Sequence, residues 1–347
     1  MPAGAPRVRF GLILLPEVLS EFGPTCREAE DAGFDLLGVG DSQSVFREAY
    51  VSLTLAALAT RRARLGPLVT NPVTRHPVVT ASAISSLDEV SGGRAVLGLG
   101  SGDSALYTVG APPATRAALE EAVATANRLT AGETVEHDGQ IWRVRHAKRR
   151  VPVYLAAEGP QMLRLAARVA DGIIVGLGLT PDVVRLSWDA IAAGAREAGR
   201  RVEDLDVWWL VKSNLAESRA AALEPIKMAL AASANHAFRF TFEGKGLAED
   251  LHEQVRGLRK EYEPHHHEVL GATPNAGLTD RWGLTDYLAE RFAIAGTAEE
   301  CAAAARSAAA AGAPQLLLTG FVREPRRFIE RWGREVVPRA RGEGGRP

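Results

Sequence analysis

Ala63-Arg-Leu-Gly-Pro-Leu-Val-Thr-Asn-Pro-Val-Thr-Arg-His-Pro77 and, one helical stretch later, Ala95-Val-Leu-Gly-Leu-Gly-Ser-Gly-Asp-Ser104 decide how this chain folds. Each opens as a short apolar run, Ala63–Val69 and Ala95–Gly98, and each breaks into a polar or glycine-rich loop. Between them Val78–Val90 carries apolar residues at helical period. Strand, polar loop, helix and next strand make one unit of a parallel sheet, since antiparallel neighbours need only a tight turn.

Outward from this pair the unit recurs. Upstream lie Val8–Leu15, a helix near Ser20–Ala32, Leu36–Gly40 and a helix near Ala49–Thr60. Downstream come Val151–Leu155, Asp171–Val175, Leu205–Val211 and Gln315–Leu318, which brings the count to eight strands. Near-continuous apolar strands alternating with helices imply a sheet covered on both faces. An open doubly wound sheet is the rival architecture, but no Gly-x-Gly-x-x-Gly turn follows the first run. The even rhythm of eight favours closure into an α/β (β/α)8 barrel, a TIM barrel with insertions. Two stretches interrupt it. Gly132–Arg145 is a hairpin turning at Asp138-Gly139, and 232–289 is an insertion expected at the barrel rim. The whole, 1–347, is expected to be a single domain.

Composition narrows the function classes. The 347 residues are 46% hydrophobic and 24% charged with a formal net charge of −1, so no nucleic acid or anionic membrane is called for. Two cysteines, Cys26 and Cys301, are far apart in alanine-rich stretches, which speaks against a disulfide framework and for the reducing cytoplasm. The start, from Met1, lacks an apolar leader pattern, and no run approaches a membrane span. The tail from Arg339 is expected to be solvated.

In such a barrel the chemistry sits at the C-terminal ends of the strands. Those ends carry Asp41-Ser-Gln43, Thr70-Asn-Pro-Val-Thr-Arg-His76, Gly98-Leu-Gly-Ser-Gly-Asp-Ser104, Glu158-Gly-Pro-Gln161 and Gly176-Leu-Gly178. Any one of these has a bland reading: a helix cap at Asp41, a tight bend at Gly98–Gly102, a surface salt bridge at Arg75. All five fall at the same end of their strands, and that joint placement marks one site. Glu158, Gly159 and Pro160 precede a helix whose free N–H groups favour an anion, and Gly176 and Gly178 offer bare backbone beside it.

The Thr70-Asn71-Pro72 and Gly102-Asp103-Ser104 blocks resemble the luciferase-like monooxygenase superfamily, a bacterial-luciferase-like barrel. Within it the chain is similar to methylenetetrahydromethanopterin reductases and bacterial relatives that use coenzyme F420. The resemblance runs from about Val8 to Arg331 and is loosest over 232–289. It implies a non-prolyl cis peptide at Leu68–Val69 or its neighbour, behind the cofactor ring. It implies cofactor contacts from Leu68, Val69, Thr70, Asn71, Gly100, Gly102, Ser104, Glu158, Gly159, Pro160, Gly176 and Gly178. Asp41 matches an acidic position near the redox-active edge and is assigned the catalytic role. Leu68 stands where the methanopterin reductases are expected to carry glycine, which points the substrate elsewhere.

The function so implied is an F420-dependent reductase moving a hydride between the deazaflavin and an electrophilic carbon of a small molecule or peptide, in natural-product metabolism. FMN-dependent monooxygenation is the first alternative, and a non-catalytic cofactor-binding barrel the second. Gln43, Lys212 and His266 are assigned to substrate. No metal is expected, because three consecutive histidines, His265–His267, cannot all point at one ion. A homodimer is expected from the resemblance alone.

Overall fold

A computed structural model of the chain describes residues 7–320 and 322–343. Its strands are β1 (Arg9–Leu14), β2 (Phe34–Val39), β3 (Arg64–Pro67), β4 (Leu97–Leu99), β5 (Val135–His137), β6 (Gln140–Trp142), β7 (Val153–Ala157), β8 (Gly172–Val175), β9 (Asp206–Leu215), β10 (Ala293–Gly296) and β11 (Gln315–Thr319). Parallel pairing runs in the order β3-β2-β1-β11-β9-β8-β7-β4. Isolated parallel bridges Leu65↔Ala95 and Thr70↔Leu99 bring the two ends together, so eight strands form a near-closed barrel.

The seam between β3 and β4 is a close approach of bare backbone. A Cβ on Gly66 would lie 1.8 Å from the Val96 carbonyl oxygen, so only glycine lets the strands meet there. Just above, the Leu68–Val69 peptide is cis, at the first of the two expected positions. The bend drives both side chains into the barrel mouth, where Gly38, Gly98 and Gly100 leave room for them. A Cβ on Gly38 would meet Leu68 Cδ1 at 2.5 Å, and one on Gly100 would meet Val69 Cγ2 at 2.8 Å.

Alternate strand residues fill the interior: Leu36, Val96, Tyr154, Ile174, Trp208 and Leu317 stack up the axis to Leu68. Trp208 fills the barrel while its neighbour Trp209 joins the outer core and meets Trp188, as period-two alternation requires. Beneath, Arg9 and Arg64 lie over the rings of Trp208 and Tyr154. Asp206 accepts from Arg64 at 2.7 Å, from Gln315 at 2.7 Å and from the Tyr154 hydroxyl.

The helices cover the outside. Ala298–Ala310 shows why alanine-rich runs serve: a Thr297–Glu300 capping box starts the helix, and small side chains at Ala302, Ala305 and Ala309 let it lie close to the sheet. The Gly132–Arg145 excursion is the expected hairpin, β5 against β6, with Asp138 at φ 48° and Gly139 at φ 72° as its turn.

Three features differ from the sequence reading. The strand β10, too short and small-residued to stand out, pairs with the far half of β9, Lys212–Leu215, so β9 projects beyond the barrel. The segment between β9 and β10 is largely helical, and position 232 falls inside the helix Lys227–Ala237. It holds a small core of its own, including Leu230, Phe238, Leu258, Leu288 and Phe292. The tail is not simply solvated: Val337–Arg341 is helical, and Arg341 donates to the carbonyls of Val8 at 3.1 Å and Gly33 at 2.9 Å. The chain start through Pro6 and the last four residues, 344–347, lie outside the described residues. Cys26 and Cys301 are buried free thiols. Among the described residues no helix is long and apolar enough to cross a membrane.

Candidate active site

At the C-terminal mouth of the barrel lies a cavity of ≈ 230 Å³. One wall is the Leu68–Val69 bend with Ile174 and Leu210, an apolar shelf at the top of the packed axis. Asp41, Thr70, Asn71, Ser104, Glu158 and Lys212 line it as well, together with Gly100, Gly102 and Gly176. Five separate strand ends therefore converge, as their common placement along the sequence requires.

Asp41 sits at the end of β2 and is 8% exposed. Its carboxylate accepts from Thr70 Oγ1 at 2.5 Å and from Arg75 Nε and Nη2 at 2.6 and 2.9 Å. Arg75 in turn reaches Glu48 at 2.5 Å and lies over the Tyr50 ring. Arg75 is thus no surface ornament. It holds Asp41, and Asp41 holds Thr70 beside the bend. Asn71 folds onto its own loop, accepting from the Val73 and Thr74 amides. Ser42 and Ser104 share a hydrogen bond of 2.9 Å across the cavity edge.

Five expected residues stand elsewhere. Gln43 is exposed and donates to the Ala105 carbonyl at 2.8 Å, tying two loops together outside the cavity. Gly178, at φ +118°, is glycine because Arg291 packs on it; a Cβ there would lie 2.5 Å from Arg291 Cγ. His266 faces outward against Glu263, 3.3 Å away, and its neighbour His267 lines the cavity instead. Gly159 and Pro160 do not line it: they begin the helix Pro160–Val169 behind Glu158, and no side chain caps that helix. What approaches its start is Lys245, whose Cε would lie 3.1 Å from a Cβ on Gly159.

Lys245 is 5% exposed, and its ammonium donates to the Ala237 carbonyl at 2.5 Å. Burial outweighs the attraction of Glu158 and lowers its pKa to about 8. Arg291, 1% exposed, fastens this loop: it donates to the carbonyls of Leu177 at 2.9 Å, Gly246 at 2.7 Å and Lys245.

The opposite wall comes from the β9–β10 segment and holds the groups sequence reasoning missed. His236 bonds Asp103 through Nε2 and lies 3.5 Å from Glu158 through Nδ1. Burial alone would lower the His236 pKa, but the two carboxylates override it and raise it to about 10. Burial likewise pushes Asp103 up, and His236 and then His267 hold it well below the usual carboxylate range. His267 is shifted down by burial, against the pull of Glu268 and Asp103. Glu268 takes a 2.5 Å ion pair from Lys212. Asp103 stood in a quoted loop, but His236 lies in an alanine-rich helix where nothing in the sequence marks it.

The structure is a near-closed parallel barrel whose mouth holds a cavity with an apolar shelf and glycine-rich strand ends. The luciferase-like monooxygenase family matches over residues 7–315, and the chain belongs to that family. It is 31% identical to a 5,10-methylenetetrahydromethanopterin reductase of Archaeoglobus fulgidus, over 96% of this chain and 99% of that protein. An F420-dependent glucose-6-phosphate dehydrogenase of Beutenbergia cavernae is also 31% identical, over 90% of this chain and 91% of its own. The solved structure of a coenzyme F420-dependent tetrahydromethanopterin reductase from Methanopyrus kandleri superposes with a TM-score of 0.75 at 27% identity, covering 96% of this chain and 99% of its own.

Proposed function

We propose that this protein is an oxidoreductase whose cofactor is coenzyme F420 and whose substrate is a small organic molecule with an electrophilic carbon. The observation that carries the reading is the apolar Leu68–Val69 shelf in the cavity at the barrel mouth, which Glu158, just ahead of the helix Pro160–Val169, also lines, in a chain whose full-length relatives include F420-dependent enzymes. The residues present fit the group. Leu68, Val69 and Ile174 offer an apolar face to a planar ring, and Gly100 leaves room for the Val69 side chain in that face. The free amides at the start of Pro160–Val169 and the buried ammonium of Lys245 suit a phosphate.

When bound, the deazaflavin supplies a hydride donor or acceptor at its ring carbon. The chain's own residues position and shield. Thr70, fixed by Asp41 and Arg75, would meet the cofactor from the cavity wall next to the Leu68–Val69 bend, and we assign Asp41 to positioning through Thr70. Its carboxylate is taken up by the Thr70 hydroxyl and the Arg75 guanidinium. His267, buried and with its pKa lowered, is the neutral group on the facing wall within reach of a substrate. Lys212 arrives already paired with Glu268, so its charge orients that wall. A homodimer and a cytoplasmic setting belong to the same proposal, with light scattering as the check on the first.

Titration of the purified protein with F420 and, separately, FMN tests the cofactor. Tight F420 binding with weak FMN binding is expected. The reverse preference, with oxygen uptake in the presence of reduced FMN, would overturn it in favour of a monooxygenase.

A further inference from the structure

Asp103, His236 and His267, the last already placed on the wall that faces a substrate, form a triad whose three ligand atoms lie within 4.8 Å of one another. The residues come from three places: Asp103 from the loop after β4, His236 from the helix Lys227–Ala237, and His267 from the end of the histidine run. Both imidazoles turn Nε2 toward the same carboxylate oxygen. His236 Nε2 is bonded to Asp103 Oδ2, and His267 Nε2 is 3.6 Å from it.

The outer nitrogens are held as well. His236 Nδ1 faces Glu158 Oε2 at 3.5 Å, and His267 Nδ1 meets the Tyr262 hydroxyl at 2.6 Å. Imidazoles that ligate a metal are held in this way, with the ring nitrogen away from the ion engaged by a carboxylate or another polar group. A second, independent observation comes from Asp103 Oδ1, which is buried and accepts no hydrogen bond, the Arg239 guanidinium standing off at 3.8 Å. Buried acceptors are rarely left so, and an unfilled ligand position is one of the few explanations. Glu268 Oε2, 3.7 Å from His267 Nε2, stands within reach as a fourth donor.

We propose that Asp103, His236 and His267 form a binding site for one divalent transition-metal ion of the zinc type on the cavity wall. Two nitrogens and a carboxylate oxygen select such an ion over magnesium or calcium, which prefer all-oxygen shells. A separation of about 3 Å between donors is needed around an ion with metal–ligand bonds of about 2 Å. His236 and Asp103 part slightly to admit it. In metal-free protein a proton on His236 fills the same place. The histidine run contributes one ligand, and the other two stand 164 residues upstream of His267 at Asp103 and 31 upstream at His236, so no local motif announces the site. All three ligands line the cavity, so the open coordination position faces whatever the cavity holds.

The test uses untagged full-length protein stripped with a chelator and kept free of F420, so its outcome is independent of the cofactor assignment. Titration with Co²⁺ is expected to give visible d–d bands that saturate at one equivalent and disappear when Zn²⁺ is added. H236Q and H267Q should each weaken binding at least 100-fold. Y262F and E158Q, which alter only the outer partners, should weaken it about tenfold. The double substitution of His265 and His266 by alanine should leave binding unchanged, which excludes capture by the surface histidines. Circular dichroism and thermal melting identify any variant that fails to fold. If H236Q or H267Q does, Y262F and E158Q carry the test. Absence of stoichiometric uptake, or uptake unchanged in the folded variants, would overturn the proposal.

Discussion

The two ends of this barrel use charge in opposite ways. At the bottom the buried charges are bonded within the protein itself. Asp206 ties Arg64, Tyr154 and Gln315 beneath the axis. Glu30 accepts the backbone amides of Arg61, Arg62 and Ala63 at 2.9, 2.5 and 2.7 Å, and Arg94 donates to the carbonyls of Ala57 and Ala63. At the mouth the accounts are left open: Asp103 Oδ1, Arg239 Nε and Arg259 Nε are buried without hydrogen-bond partners, and Lys245 keeps a positive charge in a place that disfavours it. Buried charged groups are normally satisfied, and among the described residues the aspartate and arginine atoms left without a hydrogen bond lie at this end, which separates the binding end from the bottom.

The largest effect that sharpens this contrast comes from two glycines on the same seam. Gly66→Ala puts a Cβ 1.8 Å from the Val96 carbonyl, and backbone on both sides cannot yield. The expected cost is about 3 kcal/mol of stability, at the upper end for overpacking, measured by chemical denaturation. Gly100→Ala meets only the Val69 side chain, at 2.8 Å. It should leave the unfolding midpoint nearly unchanged and weaken F420 binding at least tenfold, by pushing the shelf toward the ring. Equal losses of stability in both variants would erase the distinction between seam and mouth.

Next in size is Lys245→Met. A lost charge-assisted hydrogen bond to phosphate is worth about 1.5–3 kcal/mol, so F420 should bind roughly 10- to 100-fold more weakly. A 5-deazariboflavin lacking phosphate should bind both proteins alike, and an equal loss for both ligands would remove Lys245 from the phosphate site. The pH dependence has a definite sign. The folded pKa, about 8, lies below the ordinary lysine value of 10.5. The buried charge therefore destabilises the fold fully below about pH 8, and that penalty fades as pH rises toward 10.5. Lys245→Met should accordingly gain stability relative to the parent at pH 7 and lose that advantage above pH 8. F420 affinity of the parent should fall over the same rise in pH.

Glu30→Gln probes the bottom. All three amides reach Oε1, and Arg61 also reaches Oε2 at 3.1 Å, so the substitution sets an amide N–H₂ against the Arg61 N–H and removes the charge that strengthens the other bonds, at about 1–3 kcal/mol. F420 binding should not change. Because the carboxyl pKa is lowered by those amides against the opposing effect of burial, the stabilisation is present above the unfolded value of about 4.5. It disappears as pH falls through the depressed folded value. A change in cofactor affinity would show that the two ends are coupled.

The same contrast explains what the sequence made legible. The frame repeats, so eight apolar runs and their loops could be placed by period alone, and the loop residues Asp41, Thr70, Asn71 and Glu158 followed from strand polarity. The facing wall is built once, from Arg219–Phe292, with no repeat to calibrate it. His236 lies on a helix of small residues whose partners, Asp103 and Glu158, are 133 and 78 positions away by chain numbering. Lys245 depends on a turn held by Arg291, 46 positions onward. β10 was passed over because Ala293-Ile-Ala-Gly296 is shaped by its pairing with β9 and has little intrinsic strand pattern of its own.

The smallest expected effect falls on a pair of adjacent histidines that the sequence treats alike. A short 3₁₀ turn, Pro264–His266, ends just before His267 and sends consecutive side chains in different directions. His266 goes outward, its side chain 41% exposed beside Glu263, whereas His267 goes inward to Tyr262, at 10%. An exposed pair of this kind contributes little. His266→Ala should therefore leave F420 affinity and turnover within twofold of the parent, while His267→Ala removes a hydrogen bond from the buried Tyr262 and opens a gap in the cavity wall. Isothermal titration of both variants decides the matter. A loss at His266 matching that at His267 would mean that the turn rearranges when the cavity fills, and the facing wall would then have to be redrawn with both rings directed inward.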